Sequence, residues 1–335
     1  MPKPGPLNLI TDVPGLSVGH ATDEKAGTGV TALVCDASYP AAADVRGGGP
    51  GTRETHVLSP ENLVGRADAV VLSGGSVFGL GAADGATSAL SLKGKGLKIV
   101  DSGPTIPIVP AAVLHDLANP GDKNWGDAPP YRGLGVKAVD AAAREFALGS
   151  VGAGRGAMAG LVKGGIGSVS LDLGDGLIVG ALAAANCVGS ALLPDGETFY
   201  AWPYEIDGEF GGHRPADDFD LSDPFPDLSR LSAGGRIKAG ANTTLAVVAT
   251  SADLTTAECQ RLAMMAQDGI ARAVRPAHAP FDGDVAFALA TGAAKIAAAE
   301  EGAVRPMTLA RIGSAAADCL ARAIARAVYA ARDVG

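Results

Sequence analysis

Few residues in this chain suit covalent chemistry, and the most telling are Asn242-Thr243-Thr244, where a loop runs straight into the apolar stretch Leu245-Ala246-Val247-Val248. A threonine hydroxyl inside a chain is a poor nucleophile, because it is hardly ionised at neutral pH. Scission of the Asn242–Thr243 peptide changes this. The freed α-amine, with a reference pKa of about 7.7–8.0, then serves as a general base on the nucleophile's own residue. A plain strand start is the ordinary reading of the same run.

Three further positions suit such a reaction. Lys163 lies in Gly160-Leu161-Val162-Lys163-Gly164-Gly165, an apolar, glycine-rich setting. Beside a new amine it would lower that amine's pKa by like-charge repulsion; otherwise it is a snorkelling surface side chain. Asn186 ends the apolar run Ala183-Ala184-Ala185. A polar amide there suits a developing oxyanion, and equally a structural cap. Asp282-Gly283-Asp284 sets two carboxylates just before the apolar run from Val285. They would hold the amine or Lys163, bind a cation weakly, or form a solvated turn.

Other chemistries find little support. Gly152-Ala153-Gly154-Arg155-Gly156 invites a dinucleotide reading, but Ala157 stands where the fingerprint needs glycine and no clear strand precedes it. P-loop, HExxH and GxSxG motifs are absent from the sequence. The histidines, His20, His56, His115, His213 and His278, show no metal-ligand spacing. His115 beside Asp116 is the best acid/base pair on offer, and it reads first as loop surface. No cofactor or metal is expected.

The elements that must position these residues follow from composition and pattern. A chain of 335 residues with 47% hydrophobic and 19% charged residues folds around a large core. Aromatics are 4% and glycines number 47, so that core is built from Ala, Val, Leu and Gly in close layers. A net charge of −9 without a basic stripe argues against nucleic acid. Cys35, Cys187, Cys259 and Cys319 form no CxxC pair and read as buried thiols of a reducing compartment. The N-terminal residues lack a secretory pattern, and the longest apolar region, Leu177 to Leu193, is broken by Asn186 and glycines. A cytoplasmic protein that does not engage membranes is expected.

Strands are expected at Ala69–Leu72, Leu97–Val100, Leu245–Val248 and Val285–Leu289, with Ser168–Leu173 and Leu177–Leu182 paired as a hairpin across Gly174-Asp175-Gly176. Thr255-Thr256-Ala257-Glu258 matches a capping box and starts a helix. The run from Ser314 to about Arg332, apolar at Leu320, Ile324 and Val328, is the firmest helix. Ser76–Leu90 and Val136–Phe146 are two more candidates. The mid-chain hairpin argues for layered α/β or α+β architecture over uninterrupted βαβ winding. From Glu205 to Asp227 lie eight acidic residues against one arginine, with little apolar periodicity. Residues 208–240 therefore read as a long, loosely held acidic segment, pinned at most by Phe210, Phe219 and Phe225.

Taken together, Ile10-Thr11-Asp12-Val13-Pro14-Gly15, Asp44-Val45-Arg46-Gly47-Gly48-Gly49-Pro50-Gly51-Thr52-Arg53, Leu72-Ser73-Gly74-Gly75-Ser76-Val77-Phe78-Gly79 and Lys163-Gly164-Gly165-Ile166-Gly167-Ser168 resemble, in order along the chain, a family of N-terminal-nucleophile hydrolases. This family includes L-aminopeptidase/D-esterase, β-peptidyl aminopeptidases and the 6-aminohexanoate (nylon) oligomer hydrolases. The resemblance implies an α+β fold, an αββα sandwich of two central sheets covered by helices, over residues 1–335. It implies a self-cut between Asn242 and Thr243, giving an α chain of 1–242 and a β chain of 243–335. Thr243 matches the nucleophile, Asn186 the oxyanion-side residue, Lys163 the neighbouring lysine, and Tyr131 an active-site tyrosine. Asp282 and Asp284 match the acidic pair of the oligomer-hydrolase branch, where the peptidase branch has a Ser/Glu pair and a serine nucleophile. The implied substrate is an oligoamide or short peptide, and the implied assembly a homo-oligomer, a tetramer of αβ units. Acyl transfer of the ornithine-acetyltransferase type and a non-catalytic relative are the competing readings.

Overall fold

The computed structural model describes residues 2–232, 242–297 and 303–332. In chain order its elements are β1 (Leu16–Asp23), β2 (Thr28–Val45), β3 (Gly51–Arg53), β4 (Arg66–Ser73), α1 (Gly81–Leu92), β5 (Ala111–Val113), α2 (Tyr131–Asp140), β6 (Met158–Ala159), β7 (Val162–Lys163), β8 (Ile166–Asp172), β9 (Ile178–Asn186), β10 (Thr243–Ala252), α3 (Thr256–Ala266), α4 (Asp268–Ala273), β11 (Val285–Ala294) and α5 (Val304–Ala331). Nine strands form one hydrogen-bonded path, β3-β5-β4-β2-β11-β10-β9-β8, with β1 added beside β2. The path folds into two facing layers because β2 belongs to both. Its first half pairs with β1 and β4, and its end, Ala41–Val45, pairs with β11 after a register shift.

Strand alternation sorts side chains between three cores. In β10, Leu245, Val247 and Ala249 enter the core between the layers, while Ala246 and Val248 face the helices α3, α4 and α5. In β4, Val70 and Leu72 point inward, and Ala69 and Val71 face α1 and α2. The result is the expected αββα sandwich, with its two sheets continuous through one strand. Small residues set the layer spacing. A Cβ on Gly167 of β8 would lie 1.9 Å from the carbonyl oxygen of Ala323 in α5.

A buried polar knot fastens α5 to the rest. Arg322, 1% exposed, donates from Nε to Glu209 Oε1 at 2.5 Å and from Nη2 to Oε2 at 3.0 Å. Asn8 donates to Glu209 Oε2 at 2.7 Å, and Arg326 donates to the carbonyls of Asn8 and Ser168.

Several sequence expectations are corrected. Leu97–Val100 forms no strand, only a single bridge from Leu97 to Ile106, and Ile99 and Val100 are exposed. The expected helix at Val136–Phe146 lies earlier, at Tyr131–Asp140, directly after Pro129-Pro130. Ser76–Leu80 is 3-10 helix leading into α1. The acidic segment is not loose throughout. Phe210 is buried against Phe199, Leu161 N donates to Leu228 O at 2.9 Å, and Arg230 clasps the carbonyls of Met158 and Gly160. Phe219 and Phe225 are exposed and pin nothing. The remainder of that segment, 233–240, lies outside the described residues. Among the described residues, no helix is long and apolar enough to cross a membrane.

Candidate active site

Thr243 opens β10 in register with Asn186, the last residue of β9, so two sequence-distant candidates face each other across one rung. Thr243 is 1% exposed. Its hydroxyl donates to the carbonyl oxygen of Asn242 at 2.5 Å, and Gly283 N donates to the same oxygen at 2.8 Å. The nucleophile candidate thus sits over the peptide it would attack, while a backbone N–H already points at the oxygen where charge would develop. Only glycine fits at 283, because a Cβ there would lie 2.7 Å from Thr243 Oγ1 and 2.9 Å from Gly49 O.

The two aspartates are buried struts rather than the solvated turn that their sequence allowed, each 1% exposed. Asp282 accepts from Val188 N at 3.1 Å and Ala279 N at 2.9 Å. Asp284 accepts from Thr244 N at 2.7 Å and, on its other oxygen, from His278 N at 3.1 Å and His278 Nδ1 at 2.8 Å. Asp284 holds the backbone just after Thr243, Asp282 holds the neighbouring segments at Val188 and Ala279, and neither bonds Thr243 or Lys163 through its side chain. Burial, and then the neighbouring Asp284 charge, push the Asp282 carboxyl up to about 7.

That shift sets a pH dependence. A carboxyl raised in the folded state stabilises the fold below its unfolded value, near 3.8, and the contribution is lost as pH climbs toward about 7. Asp282→Asn is therefore expected to flatten the stability profile across that window, measured by urea unfolding in a Thr243→Ala background. An unchanged slope would remove Asp282 as its source.

Asn186 and Lys163 are placed differently from expectation. The Asn186 amide bonds backbone on both its atoms, accepting from Met158 N at 3.0 Å and donating to His115 O at 3.3 Å. It flanks Thr243 without a side-chain bond to it. Lys163 donates to Arg155 O at 2.6 Å, not to Thr243. Burial foremost, then the Arg155 charge, lower its pKa. It reaches the site through its strand, since Lys163 pairs with Met158, whose amide holds Asn186.

Tyr131 is buried, 3.4 Å from Thr28 Oγ1, with its ring edge against Trp125. Thr28 in turn donates to Asp116 at 2.6 Å, and Asp116 also receives Gly75 N at 2.8 Å. Asp116 is thus a buried polar centre and not loop surface, and burial raises its pKa.

Two cavities are lined by the backbone partners of Asn186, one by Met158 and the other by His115. One of about 340 Å³ is lined by Glu24, Asn119, Arg155, Met158 and Lys163. The other, about 430 Å³, is lined by Gly49, Pro50, Thr52, Ser76 and His115. Asn186 Oδ1 accepts from Met158 of the first lining and its Nδ2 donates to His115 of the second, so its amide links one residue of each. His278 and Gly283 were not singled out from sequence; their signal was adjacency to the two aspartates.

This geometry sits on a chain whose residues 8–335 match the model of peptidase family S58. The chain belongs to that family. It is 42% identical to an uncharacterized aminopeptidase of Mycobacterium bovis, over 98% of this chain and 95% of that protein. It is 29% identical to a 6-aminohexanoate-oligomer endohydrolase of Kocuria sp., over 86% of this chain and 76% of the relative. Among solved structures, a β-aminopeptidase of Burkholderia sp. superposes with a TM-score of 0.69 at 25% identity, covering 98% of this chain and 88% of that one. As a family S58 member the protein is a peptidase or amidase that hydrolyses amide bonds, in keeping with the resemblance read from its motifs.

Proposed function

We propose that this protein is a self-processing hydrolase of linear amides whose nucleophile is Thr243. The observation that carries the reading is the Asn242 carbonyl, which receives both the Thr243 hydroxyl and the Gly283 amide inside a buried strand start. In the first reaction the Thr243 oxygen bonds to the Asn242 carbonyl carbon, and the oxyanion rests on Gly283 N–H. The carbon–nitrogen bond then breaks, the nitrogen takes the hydroxyl proton, and an ester remains. Water hydrolyses it to an Asn242 carboxylate and a free Thr243 hydroxyl.

The mature amine then draws the proton from its own hydroxyl as that oxygen bonds to the substrate amide carbon, and passes it to the leaving nitrogen as the carbon–nitrogen bond breaks; water hydrolyses the resulting ester and regenerates the Thr243 hydroxyl. Lys163, donating to the Arg155 carbonyl and held with a pKa lowered by burial, supplies a polar group to the cavity on the Met158 side. Asn186 holds the main chain at Met158 and His115, one residue of each cavity lining, and Tyr131 packs beside the Thr28–Asp116 pair next to His115. The Asn-Thr junction and the paired aspartates favour 6-aminohexanoate oligomers or related linear amides as substrate. The aminopeptidase named among relatives at 42% identity favours short peptides with a free amino end as the second reading.

An N-acetylated 6-aminohexanoate oligomer separates the two. Chain-internal cleavage of the capped oligomer supports the endohydrolase reading. Activity confined to free amino ends replaces it with the aminopeptidase.

A further inference from the structure

His278 lies in the loop between α4 and β11, in the left-handed backbone region at φ +53°. That conformation is uncommon for a residue with a Cβ, though histidine and asparagine adopt it more readily than most. There, its backbone N–H and its ring Nδ1 converge on one oxygen of Asp284, at 3.1 and 2.8 Å. The other Asp284 oxygen takes Thr244 N at 2.7 Å, the amide one residue beyond the bond to be cut. A carboxylate only accepts, so Nδ1 carries the hydrogen. The ring is partly exposed, at 23%, while Asp284 is not. The next residue of the same loop, Ala279, donates its amide to Asp282.

We propose that His278 is a positioning residue for self-cleavage: its ring fixes the Asp284 carboxylate, which fixes the Thr244 amide and so holds the Asn242–Thr243 peptide under the Thr243 hydroxyl. The proposal rests on the self-processing reading above and adds a residue to it. His278 touches no reacting atom; it acts through one carboxylate. Without the ring, Asp284 keeps a backbone donor on that oxygen but loses the side-chain donor, charge-assisted on the carboxylate side, that sets its rotation. Thr244 N then shares a less directed acceptor. The scissile carbonyl drifts from the hydroxyl, and small misplacements of reacting groups lower rates steeply.

The experiment compares His278→Gly and His278→Asn by the time course of chain splitting, read as intact mass on freshly purified protein. Glycine and asparagine both tolerate a left-handed backbone, so neither variant strains residue 278. Asparagine places an amide N–H near where Nδ1 sits; glycine has no side-chain donor. Splitting is expected to slow roughly tenfold or more in His278→Gly, the effect of losing one hydrogen bond to a charged group. It should stay within about threefold of wild type in His278→Asn, the scale of a retained neutral donor.

Equal rates in glycine and wild type overturn the proposal. So does an equal slowing in both variants, which would assign the ring another task. Thr243→Ala is run alongside. Its failure to split, together with a wild-type rate in His278→Gly, removes the His278 role alone. Splitting at residue 243 that persists in Thr243→Ala removes the nucleophile reading and the His278 proposal with it.

Discussion

Thr243→Ala is expected to leave the 335-residue chain in one piece and to abolish amide hydrolysis. The variant deletes a hydroxyl and a methyl from a buried strand start and leaves the β9–β10 ladder intact, so folding should survive. What disappears is the oxygen bonded to the Asn242 carbonyl, and with it both reactions. Removing the nucleophile of a covalent mechanism lowers turnover on the order of 10⁶-fold. Thr243→Ser, which keeps a hydroxyl at the same position, should still split. Denaturing mass spectrometry reads the first outcome, and release of amine from a linear oligoamide reads the second. Two fragments from Thr243→Ala, or hydrolysis at more than about a hundredth of the wild-type rate, would take Thr243 out of both roles.

The second large effect lies far from the site, at Glu209. This carboxylate is 7% exposed and pairs in bidentate fashion with Arg322, which is 1% exposed in the middle of α5. Glu209→Gln keeps the shape and removes the charge, leaving the Arg322 guanidinium buried without its counter-ion. Breaking one partner of a buried pair is destabilising by about 3–5 kcal/mol, more than the intact pair itself contributes. Urea unfolding of the uncut Thr243→Ala chain provides the measurement, because a single covalent chain keeps the transition well defined. The double variant Glu209→Leu/Arg322→Met should recover much of the loss. A Glu209→Gln shift below about 1 kcal/mol would mean that water reaches Arg322 and solvates it.

How far the sequence disclosed the fold depended on whether an element had one buried face or two. The β8–β9 hairpin announced itself through Asp175-Gly176, α3 through the reciprocal Thr255–Glu258 cap, and α5 through its four-residue apolar spacing. The strand β2 gave no such signal, although it is 18 residues long. Its residues feed the inner core on one side and the α1–α2 layer on the other, so apolar side chains run consecutively from Ala32 to Cys35 and alternation vanishes there. Leu97–Val100 misled in the opposite way, as an apolar run that stays on the surface.

At the site, Thr243, Asn186, Lys163 and the two aspartates were legible as chemistry-bearing side chains in odd settings, and Tyr131 only through the resemblance. Their partners were not. Gly283, Val188 and Ala279 contribute backbone amides, and Met158 and His115 orient Asn186 through main-chain atoms. A main-chain donor leaves no trace in residue type.

The strand order carries a last consequence. In β2-β11-β10-β9 the two central strands follow residue 242, and the strands on either side precede it. If the chain is cut as proposed, the later fragment remains zipped between two ladders of the earlier one: the earlier piece keeps the layer β3-β5-β4-β2-β1, but the second layer needs strands from both pieces. The mature protein would thus be a once-assembled object: native as long as it stays closed, and, after full thermal opening, two orphaned halves with no covalent tether to guide their return.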